Sequence, residues 1–233
     1  MIISASDISV IIPAINEQDN IAGAVESAFI AGAGEVWVAD GGSTDSTIEY
    51  ACQAGALVCC GDTGRAVQQN NGAKHATKTV LCFLHADNRL DSAALQQAAV
   101  YFSEDETNRW SCFYQQIEAK GIGYSLLQWG NAWRARWSGR VYGDQAITVT
   151  RELFEGIGGF PKVELMEDVL LSKILRRLGL RPRVLDGPVK ISPRRWMKKG
   201  ILRQTLSNWW LLLQLRLGTK PNQLAKHYRR HDR

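Results

Sequence analysis

The sequence predicts an α/β protein, and three segments carry the prediction: ISVIIPAINE at 8–17, VWVADGGSTDST at 36–47 and VLCFLHADN at 80–88. Each is a short run rich in Val, Ile, Leu or Phe that stops abruptly at a carboxylate or amide, as a buried parallel strand does at a ligand-binding edge. Helix-like stretches lie between them. Repeated βα units imply a mainly parallel sheet with right-handed crossovers and helices on its faces. Ligands of such sheets sit outside the carboxyl ends of the strands, so Asn16, Glu17, Asp40, Asp45 and Asp87 are expected to converge on one crevice.

Taken in order, residues 8–13 read as a strand and 20–31 as a helix begun by the polar cluster 16–20. Residues 35–39 form the next strand, and Ser43 or Thr44 can cap a helix running to about Ala54. A strand at 56–60, a helix at 64–76 and a strand at 79–84 complete the regular part. Beyond residue 100 the pattern loosens. It gives a strand at 110–118, an aromatic-rich helix at 125–136, a strand at 145–150 and a helix at 167–178 with Leu171, Ile174, Leu175 and Leu178 on one face. Short strands follow at 181–185 and 189–191. The segment 200–217 places Leu202, Leu206, Trp209, Leu213 and Leu217 at helical spacing, with Gly218 as a stop. A chain of 233 residues buries one substantial core, so the expected organisation is a single domain at 1–199 and a helical extension at 200–233 packed on it.

Charge is divided unevenly. Residues 181–233 hold 14 Lys/Arg against Asp186 and Asp232, a net +12, whereas residues 1–180 carry −7. A basic tail on an acidic body points to an anionic surface, a phosphate-bearing substrate, or a solvated face. Nucleic acid is not an expected partner, because no recognised binding module accompanies the basic residues. The five cysteines form no CxxC pair and mostly lie in or beside apolar runs, as free thiols of a reducing compartment do. The N-terminus lacks a basic, then apolar, leader, and the run WWLLLQLRL at 209–217 is too short to span a bilayer. The expected location is therefore the cytoplasm, with contact at the inner membrane surface open.

The three strand ends, in their order, resemble the donor half of a family 2 glycosyltransferase of GT-A fold. The similarity continues through GRAVQQNNGA at 64–73, YGDQAITVTRELFEGIGGF at 142–160, MED at 166–168 and SPRRW at 192–196, and so spans most of the chain. It is nearest to a small subgroup with HAD, GDQ and RRW elements. The resemblance implies transfer of a sugar, with inversion, from a nucleotide-diphospho-sugar to an acceptor hydroxyl. Pro13, Glu17 and Asp40 match nucleotide-contacting positions; Asp40-Gly41-Gly42 also reads as a plain turn and Asp45 as a helix-cap partner. Arg65 faces either the nucleotide or solvent.

The family pattern Asp-x-Asp, which holds a divalent cation on the diphosphate, stands here as His85-Ala86-Asp87. Asp87 matches the second aspartate, so Mg²⁺ or Mn²⁺ remains the expected cofactor. His85 joins the metal shell, binds ribose, or is a structural hydrogen-bond partner. Asp168 matches the family's catalytic carboxylate, although an acid in a first helical turn is also what the helix dipole favours. Asp144 and Gln145 bind the sugar or form a simple turn. Arg194 and Arg195 are suited to clamp a diphosphate, and Trp196 stacks on a ring or fills the core. Ser192 replaces the Gln of the Q-x-x-R-W element, which argues against processive polymer synthesis.

The acceptor is unassigned by sequence. A lipid-linked acceptor presented at a membrane by the tail, or a homodimer formed through its apolar stripe, are the candidate partners. A non-catalytic nucleotide-sugar-binding module is the alternative function, motivated by the missing first aspartate. A nucleotidyltransferase lacks its Gly-rich loop after the first strand. A dinucleotide-dependent oxidoreductase is disfavoured because Gly32-Ala33-Gly34 precedes a strand instead of following one.

Overall fold

The computed structural model describes residues 2–227; within that range the side chains of Arg195, Lys199, Lys226 and His227 are outside the described atoms, and residues 228–233 of the expected extension are outside it altogether. Eight strands form one sheet in the order β3-β2-β1-β4-β7-β6-β8-β5. Their ranges are β1 Ile8–Ala14, β2 Glu35–Asp40, β3 Leu57–Cys60, β4 Val80–Phe83, β5 Asn88–Leu90, β6 Trp110–Ile117, β7 Ile147–Thr150 and β8 Arg183–Ile191. The pairs β3/β2, β2/β1, β1/β4 and β6/β8 are parallel, whereas β7 runs antiparallel to β4 and β6, and β5 antiparallel to β8. Six strands thus share one direction, and only β5 and β7 oppose it.

Side chains alternate along each strand, so one sequence feeds two cores. Val10 and Ile12 of β1 and Val80 and Cys82 of β4 enter one layer, with Ile21, Ala24 and Val25 of α1 (Ile21–Ile30) and Leu95, Ala98 and Ala99 of α4 (Ala94–Glu104). Ile11, Leu81 and Phe83 enter the other, against Ala66 and Ala73 of α3 (Arg65–His75), Phe154 of α6 (Arg151–Gly156), and Leu171 and Leu175 of α7 (Glu167–Arg177). The result is a helix–sheet–helix sandwich, which is why β1 and β4 are apolar on both faces.

Three differences from the sequence reading have local causes. The helix expected from Ser43 or Thr44 is α2, Thr47–Gln53. Its start is delayed because Ser43 and Asp45 spend their side chains on the preceding loop. The two short strands at 181–185 and 189–191 are one strand, β8, which bulges against β6 between Phe113 and Gln115. The bulge takes up Gly187 and Pro188, and a bulge is where a strand accommodates a residue with no N–H. Helix α4 was not anticipated; it buries Ala94, Leu95, Ala98, Ala99 and Phe102, a helical spacing carried mostly by alanine.

The remaining helices are α5 (Ile122–Ser138), α8 (Arg194–Lys199), α9 (Ile201–Arg216) and α10 (Pro221–His227). The stripe of α9, left open between packing on the domain, a dimer and a membrane, is exposed, and Gln204 is the buried residue of that helix among those described. The extension is instead tied at its ends. Ile201 lies against Gly123 at the start of α5, and Asn222 of α10 accepts a hydrogen bond from Glu164 N at 3.2 Å. Among the described residues no helix is long and apolar enough to cross a membrane.

Candidate active site

Strand β1 lies between β2, which follows it in the chain, and β4, which comes later. The order of strand addition reverses there while the strands stay parallel, so the crossovers leave on opposite sides and a crevice opens at the carboxyl ends of β1 and β4. All three non-glycine residues with positive φ among those described border this region: Asn16 (53°) after β1, Ala146 (46°) after the 3-10 turn Gly143–Gln145, and Met166 (66°) before Glu167-Asp168. Backbone held in this sparsely populated conformation is over-determined by its surroundings, and such positions cluster at functional sites.

One bank of the crevice is a stitched pair of loops. Asn16 N donates to Ser43 Oγ at 2.9 Å, and Thr44 N to Asn16 Oδ1 at 2.9 Å. Glu17 N donates to Thr47 Oγ1 at 2.7 Å, and Gln18 N to Asp45 Oδ2 at 3.2 Å. Asp40 is buried, and one of its oxygens accepts from Gly42 N and Ser43 N at 2.8 and 2.9 Å, the other from the Ser43 hydroxyl. Its carboxylate thus shapes the turn that it begins. Asp45 accepts from both N and Oγ1 of Thr47. Burial alone would raise its pKa, but the bonds from Thr47 and Gln18 prevail and hold it below its usual value. From α3, the buried Gln68 donates to Ala14 O and Ala39 O at 2.6 and 3.0 Å, holding the ends of β1 and β2 together. Pro13 pairs with Ala39 in β2, beyond the last β4 pair at Ile11.

Across the crevice runs a polar chain. Asn20 Nδ2 donates to Glu17 Oε2 at 2.8 Å, Arg194 Nη2 donates to Asn20 Oδ1 at 3.4 Å, and the same nitrogen lies 3.9 Å from Asp87 Oδ2. Three residues named from sequence, Glu17, Asp87 and Arg194, are therefore joined through Asn20, which the sequence did not single out. Arg89, also unanticipated, donates to Asn20 O at 2.9 Å and to the carbonyls of Ala86 and Asn88, closing the β1 loop onto the His85–Asn88 loop. Gly23 leaves room for it, since a Cβ there would lie 2.7 Å from the guanidinium.

The other bank gathers three distant segments. A Cβ on Gly143 would lie 2.8 Å from His85 Nε2 and 3.2 Å from Asp168 Oδ2, so the glycine is what lets these groups close on one another. Asp168 Oδ2 accepts from Gly143 N at 2.5 Å and Oδ1 from its neighbour Val169 N at 2.7 Å, which fixes the carboxylate's orientation at the first turn of α7. Glu167 beside it is buried, with Oε1 3.4 Å from Arg65 Nη1, so Arg65 joins the start of α3 to the start of α7. Tyr142 lies under the Arg134 guanidinium at 3.6 Å, and burial raises its phenol pKa.

Gln145 is fully buried and its Oε1 accepts from Arg134 Nη2 at 2.8 Å, which makes it an anchor of the 143–145 turn; a buried amide needs such partners. The carbonyl of Asp144 faces Asn88 Nδ2 at 3.5 Å. Trp196 packs against the first core layer, and the Arg195 side chain is outside the described atoms. Gly158-Gly159-Phe160 is clamped by Asn70, whose side-chain amide exchanges two hydrogen bonds with Phe160 at 2.8 and 2.9 Å. Gln68, Asn70, Asn20, Arg89 and Arg134 thus support the site from helices and loops. The sequence named none of them individually, although Gln68 and Asn70 fall in the segment 64–73 that carries the resemblance and Asn20 in the polar cluster 16–20.

Among the described residues no three His, Cys, Asp or Glu side chains assemble as a metal-binding group. A closed, all-protein metal cage therefore does not fit. A cation of the Mg²⁺ kind is commonly held by one or two carboxylates together with substrate phosphates, and a half-buried Asp87 at the end of β4 suits that mode.

The glycosyl transferase family 2 model matches residues 9–204, and the chain belongs to that family. Comparison with curated protein sequences gives no match. Among solved structures, the chain is similar to residues 1–349 of S. aureus TarS at 18% identity and a TM-score of 0.62, covering 80% of this chain and 60% of that one. It is similar to the mannosyltransferase PcManGT of Pyrobaculum calidifontis, solved with GDP-Man and Mn²⁺, at 19% identity and a TM-score of 0.62, covering 79% and 56%. Glucosyl-3-phosphoglycerate synthase of Mycobacterium tuberculosis, solved with Mg²⁺ and UDP, gives 20% identity and a TM-score of 0.55 over 79% and 68%. At these identities the likeness establishes the fold. The chain spans about three fifths of the length of the first of these proteins.

Proposed function

We propose that this protein is an inverting glycosyltransferase that moves a sugar from a nucleotide-diphospho-sugar to an acceptor hydroxyl. The observation that carries the reading is Asp168, held by two backbone N–H groups and packed with His85 and Gly143 on the crevice that Asp87 and Arg194 also border. The solved relatives complexed with UDP-GlcNAc and with GDP-Man support the donor class.

In the proposed reaction Asp168 takes the proton of the acceptor hydroxyl as the acceptor oxygen bonds to the anomeric carbon. The bond from that carbon to the diphosphate breaks on the opposite face, and its electron pair leaves with the diphosphate. Arg194 places a guanidinium beside that departing charge. Glu17 lines the nucleotide side, where a carboxylate oxygen accepts from base N–H or ribose hydroxyl groups, and Asp40 shapes the turn beside it. Asp87 is the residue that would hold Mg²⁺ or Mn²⁺, which would neutralise diphosphate charge when bound. His85, packed against Gly143, positions the Asp168 side of the site. All five cysteines are free, as thiols of a reducing compartment are, which supports the expected cytoplasmic setting.

A second reading, donor binding without transfer, is favoured by one observation: His85 stands where the family pattern has its first aspartate. One experiment separates the two. Purified protein is incubated with radiolabelled UDP-, GDP-, ADP- and dTDP-sugars with and without Mn²⁺, and donor binding and donor turnover are both measured. Metal-dependent turnover supports the transferase; saturable binding with no turnover across acceptors supports the binding module.

A further inference from the structure

Helix α5 turns an apolar stripe outward. Ile122, Leu126, Trp129, Trp133 and Trp137 recur at i, i+4, i+7, i+11 and i+15 and all are exposed, while Ala132 and Ala135 on the opposite face are buried. The three indoles are 65%, 52% and 74% exposed and stack in a ladder, with centroids 6.5 and 6.0 Å apart. Leu202, Leu206, Trp209, Leu213 and Leu217 repeat the same spacing on α9 and at its cap, also exposed. Five of the eight tryptophans therefore face outward on two helices that meet where Gly123 touches Ile201, a concentration that single exposed residues do not produce.

The charge carried by the two helical segments themselves is basic. No Asp or Glu occurs from Gly121 to Tyr142 or from Gly187 to His227. The ladder ends at a surface cleft of about 390 Å³ lined by Trp137, Leu180, Arg176 and Arg181, and the Arg176 stem lies over Gly139 at the end of α5. Arg136 is exposed as well; its partner is Asp186, at 3.1 Å. Indole rings with an apolar body and one N–H donor favour the boundary between water and acyl chains, and a helix with such a face and basic flanks lies in that plane.

We propose that the outer face of α5, with the Arg176–Arg181 cleft at its end, docks this protein on an anionic lipid surface. A second copy of the chain is the rival occupant. Bulky exposed indoles beside the Arg176 and Arg181 guanidinium groups, for which no ion pair is formed among the described residues, match phospholipid headgroups better than they match an identical, equally basic face. The inference that a lipid-linked acceptor is met there rests on the transfer reading; the docking itself does not.

The test is sedimentation of the full chain with phosphatidylcholine vesicles and with vesicles of about 7:3 phosphatidylcholine to phosphatidylglycerol, with indole fluorescence read in parallel. Wild type is expected to bind the anionic vesicles with a blue-shifted emission and to be released by salt. The variants W129Q/W133Q/W137Q and R176Q/R181Q are expected to lose about tenfold or more of that binding, with unchanged thermal melts because the altered side chains are outward. Turnover of soluble donor should be unchanged in both; its absence in wild type would sink the transferase reading and leave the docking result standing. Equal sedimentation with both vesicle types, or none, overturns the proposal. So does binding that survives the α5 substitutions and is lost in W209Q/W210Q, or a dimer in sedimentation equilibrium that the α5 substitutions dissociate.

Discussion

The two banks of the crevice are built by different means. The bank after β1 and β2 is stitched by hydrogen bonds from Asn16, Asp40, Ser43, Asp45 and Thr47, short polar residues within two loops. The bank of His85, Gly143 and Asp168 brings together three segments far apart in sequence, through close packing and a backbone N–H. The first bank is a shaped receptacle whose residues mostly hold one another. The second leaves its carboxylate oriented by main chain, which is what the proposed role of Asp168 as the base would use. The difference separates residues whose loss should cost stability from residues whose loss should cost turnover.

The largest expected effect tests that separation directly. Asp168→Asn should lower turnover by roughly 10²–10⁴-fold with only a small drop in the thermal midpoint, because the amide oxygen can keep the bond from Gly143 N while the bond from Val169 N is lost. Wild-type turnover in this variant would remove the second bank from the chemistry. Asp87→Asn, on the polar chain between the banks, should cost roughly 10²-fold or more and abolish stimulation by Mn²⁺, read by donor turnover against metal concentration.

Gly143→Ala should affect both properties. The added Cβ meets His85 and Asp168 at 2.8 and 3.2 Å, and relieving such crowding costs about 1–3 kcal/mol. Denaturant melts and turnover should fall together, and a stable but inactive variant would show the contact to be purely catalytic. The smallest effect belongs to the first bank. Asp45, whose pKa is held below its usual 3.8, contributes stability at neutral pH that is lost as pH falls through its folded-state value. Asp45→Asn should be slightly less stable than wild type in urea at about pH 7, with the gap narrowing at about pH 3. Turnover should change little.

Much of this was legible in the chain. The apolar runs ending in Asn16-Glu17, Asp40 and His85-Ala86-Asp87 placed the crevice, because strand alternation and the carboxyl-end rule require only local pattern. Arg89 and Arg134 were not legible, and Asn20, Gln68 and Asn70 were legible only as parts of the 16–20 cluster and the 64–73 segment, since a polar side chain that reaches across the fold looks in sequence like one that reaches water. Helix α4 escaped for a related reason: alanine marks a buried face only when its neighbours are known. The comparison of α7 with α9 makes the limit plain. Both carry leucines at helical spacing, yet Leu171 and Leu175 are buried and Leu202 and Leu206 exposed.

By itself, then, the sequence determined strands β1 to β4, the order of their polar ends and the candidate carboxylates, because hydrophobic period and turn chemistry act over a few residues, while β5 went unread and β8 was read in two pieces. Only the tertiary structure decided that β7 and β5 run against the other strands, that Gly143 closes His85 onto Asp168, and that the stripes of α5 and α9 face outward. Those outcomes depend on which surfaces find partners across the fold, and a local pattern specifies a face without specifying what covers it.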